Sequence, residues 1–83
     1  PYLSGENSFQ YVLGVQDQGV VATAKHYICN EQETNRFYGD SNSKGYSANL
    51  DDKTIHEIYL WPFASSVAAG VGSIMCSYNQ VNG

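Results

Sequence analysis

Two short apolar runs set what this chain can become. Val20-Val21-Ala22-Thr23-Ala24 is a stretch of small and β-branched residues directly behind Gly19, and Ile74-Met75-Cys76 is a second, preceded by Val71-Gly72 and ending near Tyr78. Unbroken rather than alternating apolarity is what a strand covered on both faces carries, as in a parallel sheet. Between the runs, Ile55, Ile58 and Tyr59 recur at helical spacing behind Asn49, Asp51 and Asp52, which supply capping side chains and negative charge at a helix N-terminus. Pro62 cannot continue that helix unkinked but suits the start of another, Phe63 to Ala69, closed by Gly70. Ahead of the first run, Ser4 and Glu6 mark the start of a helix that carries Phe9, Val12, Leu13 and Val15 and ends near Gly19. The order is helix, strand, loop, helix, strand, which predicts a right-handed parallel βαβ pair, the repeating unit of α/β folds.

A sheet of two strands leaves its faces and edges bare, so the remaining strands are expected outside these residues. The chain of 83 residues begins at Pro1 and stops at Gly83 soon after a strand-like run, and residues 1–83 are therefore read as an internal fragment of a larger domain. Hydrophobic residues at 42% against 14% charged argue for folded material rather than a disordered tail. A net charge of −4 with four cations gives no footprint for nucleic-acid phosphates or anionic lipid, so neither nucleic acid nor membrane is an expected partner. No apolar run approaches the roughly 20 residues that a membrane-spanning helix needs. Cys29 and Cys76 could pair with each other, pair elsewhere, or stay as thiols.

Most recognisable active-site patterns are missing: no Gly-rich phosphate loop, no Gly-x-Ser-x-Gly elbow, no Cys-x-x-Cys. His26-x-x-Cys29 with Glu31, Glu33 or His56 lacks metal-ligand spacing, and no metal or cofactor is expected. Glu31 and Glu33 read as solvated charges, Asp51 and Asp52 as helix N-terminal charges, and His56, Tyr59 and Trp61 as structural residues. Lys25-His26 stands apart, because two polar side chains directly behind an apolar strand sit where α/β barrels place their sites. The same pair is also consistent with a lysine reaching to solvent and a histidine hydrogen-bonded in the core. Tyr78, at the matching end of the second strand, would bring two strand ends to one pocket. The long polar stretch from Asn30 to Asn49, with its turn-rich centre Gly39 to Gly45, reads as a loop of the length that is often functional.

The wording of the chain adds to this. ATAKHYICNEQE, followed by ANLDDKTIHEIYLWPFASSVAAGVGSIMCSYNQVNG, resembles the N-terminal catalytic domain of glycoside hydrolase family 3, nearest to the fungal type of β-glucosidase, and the likeness covers essentially the whole chain. The resemblance implies a segment of a (β/α)8 TIM-like barrel, secreted, that acts on terminal β-D-glucosyl residues of cellobiose and other β-glucosides. It implies substrate-binding roles for Lys25, His26 and Tyr78, and a pocket-wall role for Met75. The retaining mechanism implied uses an Asp nucleophile and a Glu acid/base. Neither is matched in these residues, so the fragment alone is expected to be inactive. Cys76 resembles a cysteine that pairs outside the fragment, which would leave Cys29 free. A β-xylosidase or exo-β-glucanase of the same family, or a non-catalytic carbohydrate-binding module, is the alternative.

Overall fold

A computed structural model describes residues 1–36 and 45–83. Helix α1 (Tyr2–Asp17) leads to strand β1 (Thr23–Tyr27), then a two-residue strand β2 (Ser47–Ala48), a helical rod, strand β3 (Ser73–Cys76), and a second two-residue strand β4 (Gln80–Val81). β1 and β3 pair in parallel, and β2 and β4 form a separate parallel pair. With helices before and between the parallel strands, the chain is α/β in class, as expected.

The rod between β2 and β3 is built as α2 (Asp52–Thr54), a π-helical turn (Ile55–Leu60) and α3 (Trp61–Ala68), with helical dihedrals continuing through Ile55, Leu60 and Trp61. Its start is where the sequence placed it: Asp51 is the N-cap, accepting from the Thr54 N–H at 2.9 Å and the Thr54 hydroxyl at 2.8 Å. A break at Pro62 was expected, yet the helix runs on. Pro62 lacks an N–H and would crowd the carbonyl four residues back in a regular α-helix, and the wider π turn directly ahead of it lets the rod pass. Gly70, at φ +81°, then ends the helical stretch in the left-handed region.

α1 packs on α3 through small residues. The Ser65 hydroxyl donates to the Gly5 carbonyl at 2.8 Å, Ser8 and Ser66 share a hydroxyl–hydroxyl bond, and Val12 is buried behind them. The helix starts two residues before the expected cap at Ser4, because the Pro1 carbonyl already accepts from the Gly5 N–H at 2.9 Å.

The first strand is also displaced from its expected span. Val20 and Val21 are exposed run-in residues, and the ladder begins where Thr23 faces Ser73. Lys25 and His26 therefore lie inside the last turn of the ladder rather than beyond it. β2 and β4 were not anticipated. They close the chain around the loop exit: Gln80 N–H donates to the Tyr46 carbonyl at 2.9 Å and Asn82 N–H to the Ala48 carbonyl at 3.0 Å. The turn-rich centre expected to shape the loop, Gly39 to Gly45, falls outside the described residues apart from Gly45.

Candidate functional site

At the C-terminal end of β1 the register with β3 is broken. Lys25 faces Met75 and Tyr27 faces Cys76, so His26 is the extra residue of a bulge and has no partner across the ladder. Bulges turn a side chain out of the alternation that a regular strand imposes. The Lys25-His26 and Tyr27-Ile28 peptides are cis, and Cys29, at φ +64°, reverses the chain out of the strand.

Lys25 and His26 both line a cleft of about 440 Å³ between the strand end, the first turns of α1 and the middle of the helical rod, where the π turn passes into α3. Asn30 and Glu31 contribute polar groups from the chain just past β1, and Tyr59 and Phe63 form an aromatic wall. Tyr27 braces that wall from below, its ring meeting Phe63 edge-on with centroids 5.0 Å apart. The cleft thus combines two cationic or titratable donors, an amide, a carboxylate and apolar ring surface, a mixture suited to a polyhydroxylated ligand. Neither the Lys25 ammonium nor the His26 ring hydrogen-bonds another described residue.

Met75 and Tyr78 reach solvent on the neighbouring strand and do not line this cleft. Met75 sits beside Lys25 in the ladder, and the Tyr78 ring lies under the guanidinium of Arg36 at 5.8 Å. Arg36, also paired with Glu33 at 3.3 Å, links the loop after β1 to the end of β3. Sequence reasoning overlooked this residue because nothing in a polar stretch marks an arginine that will stack on a distant ring.

Glu33 is accounted for by that surface pair, and Glu31 lies beside the buried Cys29, whose thiol is pushed up, first by burial and then by the Glu31 charge. His56 bonds the Asp52 carbonyl through Nδ1 at 2.8 Å on the exposed face of the rod, a structural arrangement. Both cysteines are free thiols in this chain. Among the described residues no three His, Cys, Asp or Glu side chains are placed to share a metal ion, and no helix is long and apolar enough to cross a membrane.

A parallel βαβ segment whose first strand ends in a bulged Lys-His pair beside an aromatic-walled cleft is a segment of an α/β-barrel protein. The chain belongs to glycosyl hydrolase family 3, whose N-terminal domain it matches over residues 1–83. It is 59% identical over 88 aligned residues to beta-glucosidase 1 of Aspergillus aculeatus, covering 99% of this chain and 10% of that one. The structure superposes on a family 3 beta-glucosidase from Neurospora crassa with a TM-score of 0.86 at 51% identity, over 94% of this chain and 10% of that one. It superposes on a beta-glucosidase from Kluyveromyces marxianus, solved in complex with glucose, with a TM-score of 0.89 at 38% identity, over 100% of this chain and 9% of that one. The chain spans 10% of the length of the curated relatives it matches.

Proposed function

We propose that this chain is an internal segment of the N-terminal barrel of a retaining β-glucosidase, which releases β-D-glucose from the non-reducing end of cellobiose and related β-glucosides. The observation that carries this is 59% identity over 99% of the chain to a protein named as a beta-glucosidase. In this reading Lys25 offers three donors and His26 one donor and one acceptor to the hydroxyls of the terminal glucose, while Tyr78 and Met75, outside the cleft that Lys25 and His26 line, are assigned to the sugar pocket on the family likeness alone. Retention needs two carboxyl groups about 5 Å apart across the glycosidic bond. Those groups are assigned to parts of the protein beyond residues 1–83, so this segment by itself holds sugar and breaks no bond. Secretion belongs to the same proposal and is checked by assaying culture medium against cells.

The test is made on the full-length protein with aryl β-glucoside and aryl β-xyloside side by side. Hydrolysis of the glucoside with retention is expected, and a preference for the xyloside, or no hydrolysis of either, sinks the proposal. Lys25→Ala is expected to cost about 1–3 kcal/mol of transition-state binding, because a sugar hydroxyl enclosed in the site loses its partner. An unchanged kcat/KM in that variant removes Lys25 from the sugar site.

A further inference from the structure

The two residues that flank Tyr78 are both fastened to the end of β1. Ser77 N–H donates to the Tyr27 carbonyl at 2.6 Å and the Ser77 hydroxyl to the Ile28 carbonyl at 3.1 Å. Asn79 Nδ2 donates to the same Ile28 carbonyl at 3.0 Å and to the Gln80 carbonyl at 3.1 Å. Asn79 is 9% exposed, and its surroundings dictate which way its amide faces. Turned over, Oδ1 would meet two carbonyl oxygens, acceptor against acceptor. Oδ1 itself is enclosed and has no partner among the described residues, so the side chain works as a two-proton donor between the β1 end and its own turn.

Ile28 stands two residues past His26, at the point where the strand has just left its register with β3. A bulged residue has no ladder partner of its own, and its position is set by what holds the backbone on either side. On the upstream side that is the pairing of Lys25 with Met75, and on the downstream side it is the group of donors from Ser77 and Asn79. Only an amide at residue 79 has two N–H groups on one short nitrogen to satisfy both carbonyls.

We infer that Asn79 is a positioning residue that fastens the His26 end of β1 to the turn after β3, so that the bulged His26 side chain is held in the cleft where the sugar binds. This rests on the reading of Lys25 and His26 as sugar ligands. Small displacements of binding groups are expensive in rate, with about 1 Å costing on the order of a hundredfold.

The experiment is a double-mutant cycle in the full-length enzyme, read as kcat/KM on an aryl β-glucoside. Asn79→Ala is expected to lower kcat/KM by about tenfold or more. Asn79→Asp is expected to lose at least as much, since its carboxylate faces the Ile28 and Gln80 carbonyls. In the His26→Ala background, Asn79→Ala is expected to cost little further, because the group it places is gone. Losses that simply multiply, or an unchanged kcat/KM in Asn79→Ala, overturn the positioning role while leaving the sugar ligands standing. If His26→Ala and Lys25→Ala themselves leave kcat/KM unchanged, the ligand reading falls and the positioning role with it. Should Asn79→Ala not yield folded enzyme, Ser77→Ala removes one of the two side-chain donors to Ile28 and carries the same cycle. A smaller loss is then expected, again absorbed by His26→Ala, and multiplying losses overturn the inference.

Discussion

Gln16 and Gly72 are joined by a 2.9 Å hydrogen bond in which the Gly72 N–H donates to Gln16 Oε1. The same oxygen accepts from Ala22 N–H at 3.2 Å, and Gln16 Nε2 donates to the Gly70 carbonyl at 2.9 Å. Residues 22 and 72 directly precede Thr23 and Ser73, the first pair of the β1–β3 ladder, so one side chain at the end of α1 sets the entry of both strands. It thereby sets the register that puts Lys25 opposite Met75.

Gln16→Leu is accordingly expected to destabilise the domain by about 1.5–3 kcal/mol, since three bonds, partly open to water, are lost and each is worth on the order of 0.5–1 kcal/mol. Gln16→Glu keeps the acceptor for Ala22 and Gly72 but turns a carboxylate oxygen toward the Gly70 carbonyl; that clash is at an exposed position open to water, so its loss should still be the smaller. Thermal unfolding of the full-length protein checks the order, and a Glu variant weaker than the Leu variant contradicts it.

The contact of α1 with the helical rod makes a second prediction. A Cβ on Gly5 would stand 2.7 Å from Trp61 Nε1 and 3.0 Å from Trp61 Cδ1, closer than atoms pack. Overpacking costs about 1–3 kcal/mol, while replacing a mid-helix glycine by alanine returns about 1 kcal/mol of helix propensity. A net loss of about 1 kcal/mol is therefore expected for Gly5→Ala, the indole being displaced. Combining it with Trp61→Phe, which shortens the ring at that edge, should recover part of the loss. A stabilised Gly5→Ala would show that the indole moves aside freely.

Asp51 gives the rod a pH-dependent start. Hydrogen bonds from Thr54, first its backbone N–H and then its hydroxyl, hold the Asp51 carboxyl below the usual carboxylate range. A folded-state pKa depressed below the unfolded one adds stability that is fully present above the unfolded value and fades as pH falls through the folded one. The difference in unfolding midpoint between the parent and Asp51→Ala should thus be largest near neutrality and shrink below about pH 4, the ordinary aspartate value. Asp51→Asn, another good cap, should restore much of the stability at pH 7 without that dependence. A difference that stays constant down to pH 2 would refute the capping role of the charge.

What could be read in the sequence followed from local physics. The cap at Asp51, the glycine stop at Gly70 and the second strand at Ile74–Cys76 all rest on short-range rules and are present. The first strand begins later than Val20 and Val21, with their strand-like side chains, predict, because the ladder starts where Gln16 and Ser73 place it. Pro62 predicts a break because local sequence rules do not include a π turn that absorbs it. The bulge at His26, the Asn79 donor and the Arg36–Tyr78 stack join residues far apart in the chain, and no local pattern announces them.

Cys29 supplies the last prediction. Its side chain is buried behind the reversal that ends β1, with Tyr46 reaching across to the Cys29 carbonyl at 3.4 Å and Asn30 Oδ1 at 3.2 Å. Burial raises the thiol pKa, and the nearby Glu31 carboxylate raises it further by penalising a second negative charge. The thiolate is the reactive form, so both effects slow alkylation, and poor access slows it again. In the native full-length protein at pH 8, Cys29 should react with iodoacetamide more slowly than free cysteine, and denaturation should remove the difference. Glu31→Gln should speed the native reaction, because the smaller, Coulombic cause is gone while burial remains. Peptide mapping after timed labelling separates Cys29 from Cys76. Native Cys29 reacting at the rate of free cysteine would place it at the surface and overturn the packing of this strand end.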